Sequence, residues 1–378
     1  MFARMLKPPE RSFFLFGPRA TGKSTWLKNN LQNNFTFDLL KNEIYFQLLR
    51  SPVFFREQVL AQDKKKWIVI DEVQRIPGLL NEVHSLIEDG YRFALTGSSA
   101  RKVKRGQANL LAGRAILLNF YPLIYDEYGK TVAIDKILAH GSLPHVLSNP
   151  QDRIQILEAY TGTYLREEIK EEALTRNIES FGRFLEVAAL ANAQVTNLSN
   201  ISRDASVSRA TVSTYFDILQ DTLIGRMLPA WQPKAKMKEV AHPKFYFFDC
   251  GVLRAIQGRL RDPVADGERG HLLETLLIHE VGAFISYCNL GGKLSYWRIS
   301  DEIEVDLIWQ RGKRLVALEC KSSSKWRPEY NKGFKSLMDS SIKPEKCIGV
   351  YLGKETLKKE WGIIYPFDIF LSKLKEIF

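Results

Sequence analysis

Apolar residues fall into two rhythms along this chain. In the N-terminal part they arrive as short unbroken runs: Phe13 to Phe16 reads FFLF, Trp67 to Ile70 reads WIVI, and a third run lies within Arg92 to Leu95. Runs without a polar face predict strands buried on both sides of a parallel sheet. Thr25 to Leu31 predicts a helix after the first of them. In the middle of the chain the rhythm becomes helical. Phe181, Leu185, Ala188 and Ala189 form one stripe, Leu198, Ile201 and Ala205 suit a short second helix, and Val212, Tyr215, Phe216 and Leu219 face inward on a third that Ser208 can cap. A strand over Leu223 to Ala230 follows, and Ile154 to Leu174 predicts a helical connector ahead of this group.

The C-terminal third returns to strands. Phe245 to Phe248 reads as a short one, Gly270 to Glu274 opens an apolar helix running to about Tyr287, and LSYWRIS, IEVDLIWQ and KRLVALECKSS follow in series. The expectation is an α/β multidomain protein: a parallel-sheet core over 1–130, a helical lid or connector over 131–176, a three-helix unit over 177–242 and an α/β domain over 243–378.

Composition narrows the class. With 378 residues, 45% apolar and 26% charged, the chain exceeds one ordinary core and reads as globular. It has no run long enough for a membrane span and no apolar N-terminal segment of the secretion type, so a cytoplasmic location without membrane contact is expected. Its four cysteines form neither a C-x-x-C pair nor a disulfide framework and are expected as reduced, mostly buried thiols. A formal charge of +11 makes a polyanionic partner plausible without establishing one.

The chemistry begins directly after the first run. Gly17-Pro18-Arg19-Ala20-Thr21-Gly22-Lys23-Ser24, continued by Thr25, fits G-x-x-x-x-G-K-[ST] between a strand and a helix, the context that this phosphate-binding loop requires. Glycines let the backbone wrap a phosphate with its amides inward, Lys23 meets the β and γ phosphates, and Ser24 is placed for Mg²⁺. The WIVI run ends in Asp71 and Glu72. Paired with the loop, Asp71 is assigned to the Mg²⁺ shell and Glu72 to the water that attacks the γ-phosphate of ATP. Arg114, and secondarily Arg101, are candidates for an arginine reaching a phosphate in the same or a neighbouring subunit, which leaves a homo-oligomer open.

GPRATGKST, IDEVQRIPGLLNEVHSLIE, ALTGSSARKV with LLAGR, and FYPL together resemble the AAA-type ATPases of bacteria and archaea that carry a C-terminal domain of unknown function, number 4143. KFYFFDCGVLR, GHLLETLLIHEV and the stretch from LSYWRIS to LECKSS resemble that C-terminal domain, so the likeness covers nearly the whole chain. It implies a P-loop NTPase core in which Ser98 or Ser99, after the third run, senses the γ-phosphate.

Three helices followed by a strand is the order of a winged helix-turn-helix, and ASVSRATVSTYF resembles its turn and recognition helix. That likeness implies Arg209, Ser213 and Thr214 facing a DNA groove, with Lys234, Lys236 and Lys238 near phosphates. A protein-docking module is the alternative. A helix bearing Glu274, a hairpin bearing Asp306 and Glu319-Cys320-Lys321 on the next strand resemble the PD-(D/E)xK nuclease layout. Glu319 and Lys321 are two apart on a strand and share a face. With Asp306 and Glu274 they imply an oxygen cluster for Mg²⁺, Lys321 orienting water or stabilising charge, and Glu304 an auxiliary ligand. His84, His271 and His279 read as partly buried helix histidines without a catalytic role. The functional expectation is a nucleotide-controlled DNA-acting enzyme; the alternative is an ATP-gated switch whose nuclease-like fold is a scaffold.

Overall fold

The computed structural model describes residues 2–99, 110–165, 178–232, 242–300, 303–339 and 343–378. Arg101, Lys234, Lys236, Lys238 and residues 166–174 of the connector lie outside the described residues. The N-terminal apolar runs become β1 (Phe13–Phe16), β3 (Trp67–Asp71) and β4 (Arg92–Gly97), joined by β2 (Asn34–Asp38) and β5 (Ile116–Asn119). All five strands are parallel in the order β2-β3-β4-β1-β5, a core consistent with a P-loop NTPase. The unbroken runs predict this placement because β1 and β4 lie inside the sheet, covered on both faces; Phe13, Phe14, Leu15, Phe93, Ala94 and Leu95 are fully buried. The third run extends two residues beyond the expected Leu95. The first helix begins two residues early, at Lys23, and ends at Asn30.

In the middle region helices occupy Ile178–Leu190, Leu198–Asp204 and Arg209–Asp221 in the expected order. Ser208 accepts from the Thr211 N–H at 3.1 Å, satisfying one of the orphan donors at that helix start. Phe181, Phe184, Tyr215 and Phe216 interlock by edge and tilted ring contacts at 4.7–5.5 Å between centroids. The expected strand over Leu223 to Ala230 contracts to β6 (Gly225–Leu228), which pairs antiparallel with β7 (Lys244–Phe247) in a separate two-stranded ribbon. Leu223 instead adopts a left-handed turn at φ 58°.

The last region holds a six-stranded mixed sheet in the order β12-β13-β11-β10-β9-β8, built from β8 (Lys293–Ser300), β9 (Ile303–Arg311), β10 (Arg314–Lys321), β11 (Lys346–Tyr351), β12 (Leu357–Lys359) and β13 (Gly362–Pro366). Across one side runs a long helix, Asp266–Tyr287, which starts four residues before the expected Gly270. The Glu268 carboxylate accepts from the Ala265 N–H at 2.9 Å and so carries the helix start upstream of that glycine. All four cysteines are free; Cys250, Cys320 and Cys347 are buried. Among the described residues no helix is long and apolar enough to cross a membrane.

Candidate functional site

The Gly17–Ser24 loop is closed by its own atoms. Thr21 Oγ1 donates to the Pro18 carbonyl at 2.8 Å, Gly17 N–H reaches the Gly97 carbonyl at 3.3 Å on the neighbouring strand, and Ala20 and Gly22 take left-handed conformations at φ 62° and 92°. A side chain at Gly17 would run into the Phe120 carbonyl, so the loop packs where only glycine fits. Lys23 is buried and its Nζ donates to the carbonyls of Gly17 and Pro18 at 2.6 and 3.0 Å. Ser24 Oγ donates to Asp71 Oδ2 at 2.9 Å, and Thr96 Oγ1 donates to the other oxygen of Asp71. Hydroxyl and carboxylate thus stand side by side, a hard-oxygen pair that fits Mg²⁺.

Glu72 sits beside them in a left-handed conformation, φ 61°. Its carboxylate accepts from Gln74 Nε2, which also donates to Ser98 Oγ at 3.3 Å. Ser98 and Ser99 are both buried, and Ser98 meets the loop machinery through Gln74. Arg114 pairs with Glu88 at 2.6 Å on the exposed surface. Beside Gly22 and Thr25 opens a cavity of about 400 Å³ that Phe2, Arg4, Leu123 and Pro144 also line.

Arg4 ties this loop to the far end of the chain. Its guanidinium donates to the carbonyls of Thr21 and Tyr121 at 2.8 and 2.6 Å, pairs with Glu127 at 3.0 Å, lies 4.0 Å over the Phe120 ring, and donates to the Tyr287 hydroxyl at 2.9 Å. Tyr287 also accepts from the Tyr121 N–H at 3.0 Å. It is the last residue of the long helix, whose other half carries Glu274.

The second site is a cavity of about 710 Å³ lined by Glu274, Glu304, Asp306, Glu319, Lys321 and Lys244, among others. Glu304 and Asp306 are two apart on β9, and Glu319 and Lys321 two apart on β10, so alternation brings each pair to one face. Regular β9–β10 pairing ends at Leu307 and Leu318. Beyond it Asp306 Oδ2 accepts the Cys320 N–H at 2.7 Å, its side chain replacing a backbone acceptor where the strands part.

Glu274, Glu304 and Asp306 place one oxygen each within 4.8 Å of one another. Glu319 stands outside that trio, with Lys321 against its Oε1 and its Oε2 buried without a hydrogen-bond partner. Lys321 lies 3.9 Å from Asp306. Of the expected ligands, Glu274 and Asp306 stand in this trio together with Glu304, the expected auxiliary ligand, while Glu319 lies beside its own lysine. A trio of buried and half-buried carboxylate oxygens next to an orphaned one fits a hard divalent ion.

Two residues of this site escaped sequence reasoning. Lys244 Nζ donates to Glu274 at 2.9 Å and pairs with Glu304, and Tyr246, two along β7, donates to Glu274 as well. The period-two K-x-Y at the start of the ribbon was the available signal. Burial opposes the charge of Lys244, but Glu274, Asp306 and Glu304 more than offset it and hold its pKa above the ordinary lysine value. Burial and the neighbouring Asp306 push Glu274 up against the pull of Lys244 and Tyr246. Lys321 is likewise raised, burial being outweighed by Asp306 and Glu319. Burial, then Asp306, drives Glu319 well above the carboxylate range.

Elsewhere, Arg209, Ser213 and Thr214 share an exposed face of their helix, with Thr214 Oγ1 bonded to the Ala210 carbonyl at 3.1 Å. His279 is enclosed against the Leu123 carbonyl at 3.2 Å, and burial lowers it to about 4, which keeps it neutral.

Comparison with known proteins divides the chain. Residues 9–129 match the family model of an AAA domain, AAA_14; residues 131–262 match a domain of unknown function, DUF8612; and residues 269–370 match another, DUF4143. The chain thus carries an AAA-type ATPase domain, which supports nucleotide binding, and a DUF4143 domain. A Haemophilus influenzae protein described only as uncharacterized is 22% identical over 222 residues, 54% of this chain. The alignment spans 56% of that relative, about half its length. Among solved structures, the replication initiator DnaA bound to AMPPCP and single-stranded DNA is similar at TM-score 0.31 and 12% identity, over 57% of this chain and 83% of that one. Can2 from Sulfobacillus thermosulfidooxidans, in complex with cyclic tetra-adenylate, is similar at TM-score 0.21 and 13% identity, over 92% and 96%.

Proposed function

We propose that the protein is a Mg²⁺-dependent ATPase whose nucleotide site controls a nuclease-like, DNA-acting site at the other end of the long helix. The observation that carries this reading is the helix itself. Glu274 belongs to the carboxylate trio, and Tyr287, thirteen residues on, is bonded to Arg4, which holds the Thr21 carbonyl of the phosphate loop. A rise of 1.5 Å per residue puts the two ends about 20 Å apart on one rigid element.

At the loop, Lys23 would exchange its two carbonyl acceptors for phosphate oxygens, and the cavity beside Thr25 would take the base. Ser24 and Asp71 would hold Mg²⁺, which neutralises phosphate charge when bound. Glu72 takes the proton of the attacking water, with Gln74 steering its carboxylate toward Ser98. Arg114 would serve in the same or a neighbouring subunit, which an exposed ion pair with Glu88 leaves able to exchange partners.

At the second site, the layout supports a PD-(D/E)xK reading. A divalent ion held by Glu274, Glu304 and Asp306 would polarise a scissile phosphodiester. Lys321, fixed between Glu319 and Asp306, would orient the attacking water and meet developing charge. The helices at 178–221 followed by the β6–β7 ribbon support a winged-helix reading, with Arg209, Ser213 and Thr214 as the surface toward a DNA groove. A second reading is favoured by Lys244: a site that already contains its own cation suits an ATP-gated switch that binds partners or DNA without cutting.

The test is cleavage of labelled single- and double-stranded DNA with Mg²⁺ or Mn²⁺, with and without ATP, for the intact chain, Lys321→Ala and Lys23→Ala. Metal-dependent cleavage lost in Lys321→Ala and altered in Lys23→Ala is expected. No cleavage with ATP hydrolysis intact would move the assignment to the switch.

A further inference from the structure

We propose that Lys244 is a built-in cation of the acidic site that occupies Glu274 and Glu304 in competition with a divalent ion, so that loading the metal requires the β6–β7 ribbon to withdraw it. This inference rests on the reading of that site as a divalent-metal site.

The geometry sets the two cations in competition. Glu274 and Glu304 are two of the three carboxylates whose oxygens converge within 4.8 Å, and both are engaged by the same Nζ. The Lys244 side chain is 6% exposed and lies 5.4 Å from the Tyr296 ring, so it has no room to swing into solvent while the ribbon stays in place. Tyr246 spends its hydroxyl on the same Glu274. An incoming ion would meet carboxylates whose Oε1 atoms are already taken, by Lys244 and Tyr246 on Glu274 and by Lys244 on Glu304, with Arg298 3.7 Å from Glu304 Oε2, and would face an ammonium group at close range in a buried setting, where like charges repel strongly.

A structural ion pair would leave its carboxylates satisfied. Here four buried or half-buried carboxylates, Glu274, Glu304, Asp306 and Glu319, face Lys244, Lys321 and Arg298, the last 3.7 Å from Glu304, and Glu319 Oε2 has no hydrogen-bond partner. Lys244 covers the trio without completing the site.

The lysine also comes from a different element than the acids it holds. Glu304 and Asp306 ride on the six-stranded sheet and Glu274 on the long helix, whereas Lys244 opens β7, which pairs with β6 and forms a bridge to Val195. Thr196 N–H bonds the Pro243 carbonyl at 2.8 Å, fastening the start of the ribbon to the helical region before it. Moving that region relative to the sheet would carry Lys244 out of the trio, at the cost of the bonds that tie the ribbon to β8, where Tyr296 N–H meets the Pro229 carbonyl at 3.0 Å and the Tyr296 hydroxyl donates to the His242 carbonyl. Binding of a long substrate across both regions is a source of such movement, which makes the lysine a guard against idle metal loading.

The test is Mn²⁺ binding to the full chain, followed by calorimetry and by Mn²⁺ electron paramagnetic resonance, in the wild type and in Lys244→Met, Tyr246→Phe and Lys321→Met. Signal lost in Asp306→Asn is assigned to the acidic site, which separates it from the Ser24–Asp71 pair. Lys244→Met is expected to bind Mn²⁺ about tenfold tighter or more, because a direct competitor is gone, with a smaller gain for Lys321→Met. Tyr246→Phe keeps all charges, and should tighten binding by a lesser factor even if Lys244→Met folds poorly. Lys244→Met should also melt lower than wild type without metal and recover on adding Mn²⁺. Equal affinity in wild type, Lys244→Met and Tyr246→Phe, or weaker binding in the variants, overturns the inference alone. No Mn²⁺ signal dependent on Asp306 in any folded variant overturns the metal-site reading and the inference with it.

Discussion

At the phosphate loop the groups meant for a ligand rest on partners that are easily exchanged: Lys23 on two backbone carbonyls, Ser24 on Asp71, Arg114 on an exposed Glu88. At the acidic site they rest on one another, with Lys244 and Lys321 paired directly to Glu274, Glu304 and Glu319. A neutral carbonyl surrenders an ammonium group to a phosphate at little cost, whereas a buried carboxylate surrenders its counter-cation only to another cation. The first site is built to be filled whenever nucleotide is present. The second keeps its carboxylates paired with its own cations until something moves.

The largest expected effect breaks the first half of this comparison. On the proposed reading Lys23→Ala removes charge-assisted bonds to two phosphates, and nucleotide affinity should fall by roughly two to four orders of magnitude, since each such bond contributes about 1.5–3 kcal/mol. Fluorescent-nucleotide titration reads this, and unchanged affinity would mean that Lys23 keeps its carbonyl partners in the complex. Glu72→Gln comes next. Binding should persist while turnover drops by about 10² to 10⁴, the range for a lost general base. Normal phosphate release would remove Glu72 from that role and leave Gln74 and Ser98 without a reason to converge on it.

How much of this was legible follows from distance along the chain. The phosphate loop is eight contiguous residues whose chemistry survives any uncertainty about the fold, and β1, β3 and β4 announce themselves because strands covered on both faces tolerate no polar position. The acidic site draws on a helix, two strands and a ribbon. Period-two alternation put Glu304 beside Asp306 and Glu319 beside Lys321, but it has no means of telling which pair a helix passing overhead will meet. Lys244 was hidden for a different reason: in K-F-Y-F a lysine at a strand start reads as a solvated end, and only the turn of the ribbon carries it into the trio. Arg4, in a polar N-terminal segment, reads as a solvated tail residue in the same way, yet its side chain is 8% exposed.

Arg4→Ala sharpens the comparison by testing the connection between the halves. It deletes bonds to Thr21, Tyr121 and Tyr287 and leaves Glu127, 1% exposed, without its cation. Losing one partner of a buried pair costs about 3–5 kcal/mol. Urea unfolding should register that loss, and Tyr287→Phe should reproduce a smaller part, near 1 kcal/mol for a single hydrogen bond. If both variants unfold like the wild type, Arg4 is a surface residue in solution and the helix has no grip on the loop.

The smallest effect concerns a carboxylate on the same helix that solves its burial without any lysine. Glu280, six residues beyond Glu274, is fully buried and is held by the Tyr125 N–H and the Tyr128 hydroxyl at 2.9 Å each. Burial pushes its pKa from 4.5 up to about 8, the two hydrogen bonds pulling only partly the other way. The sign follows directly. Between those two values the folded chain keeps a proton on Glu280 that the unfolded chain has released, so stability falls as pH rises through this window and the loss is complete above the folded value. Glu280→Gln, neutral at every pH, removes that slope. Between pH 5 and 6 the wild type should lose stability relative to the variant by about 1 kcal/mol, the value of one pH unit for one proton. Parallel unfolding curves for the two proteins from pH 5 to 8 would show that Glu280 is ionised in the fold. The contrast with Glu274 would then fail: a carboxylate on this helix would be able to stay charged in the interior on hydrogen bonds alone, and the pairing of Glu274 with Lys244 would no longer be forced by burial.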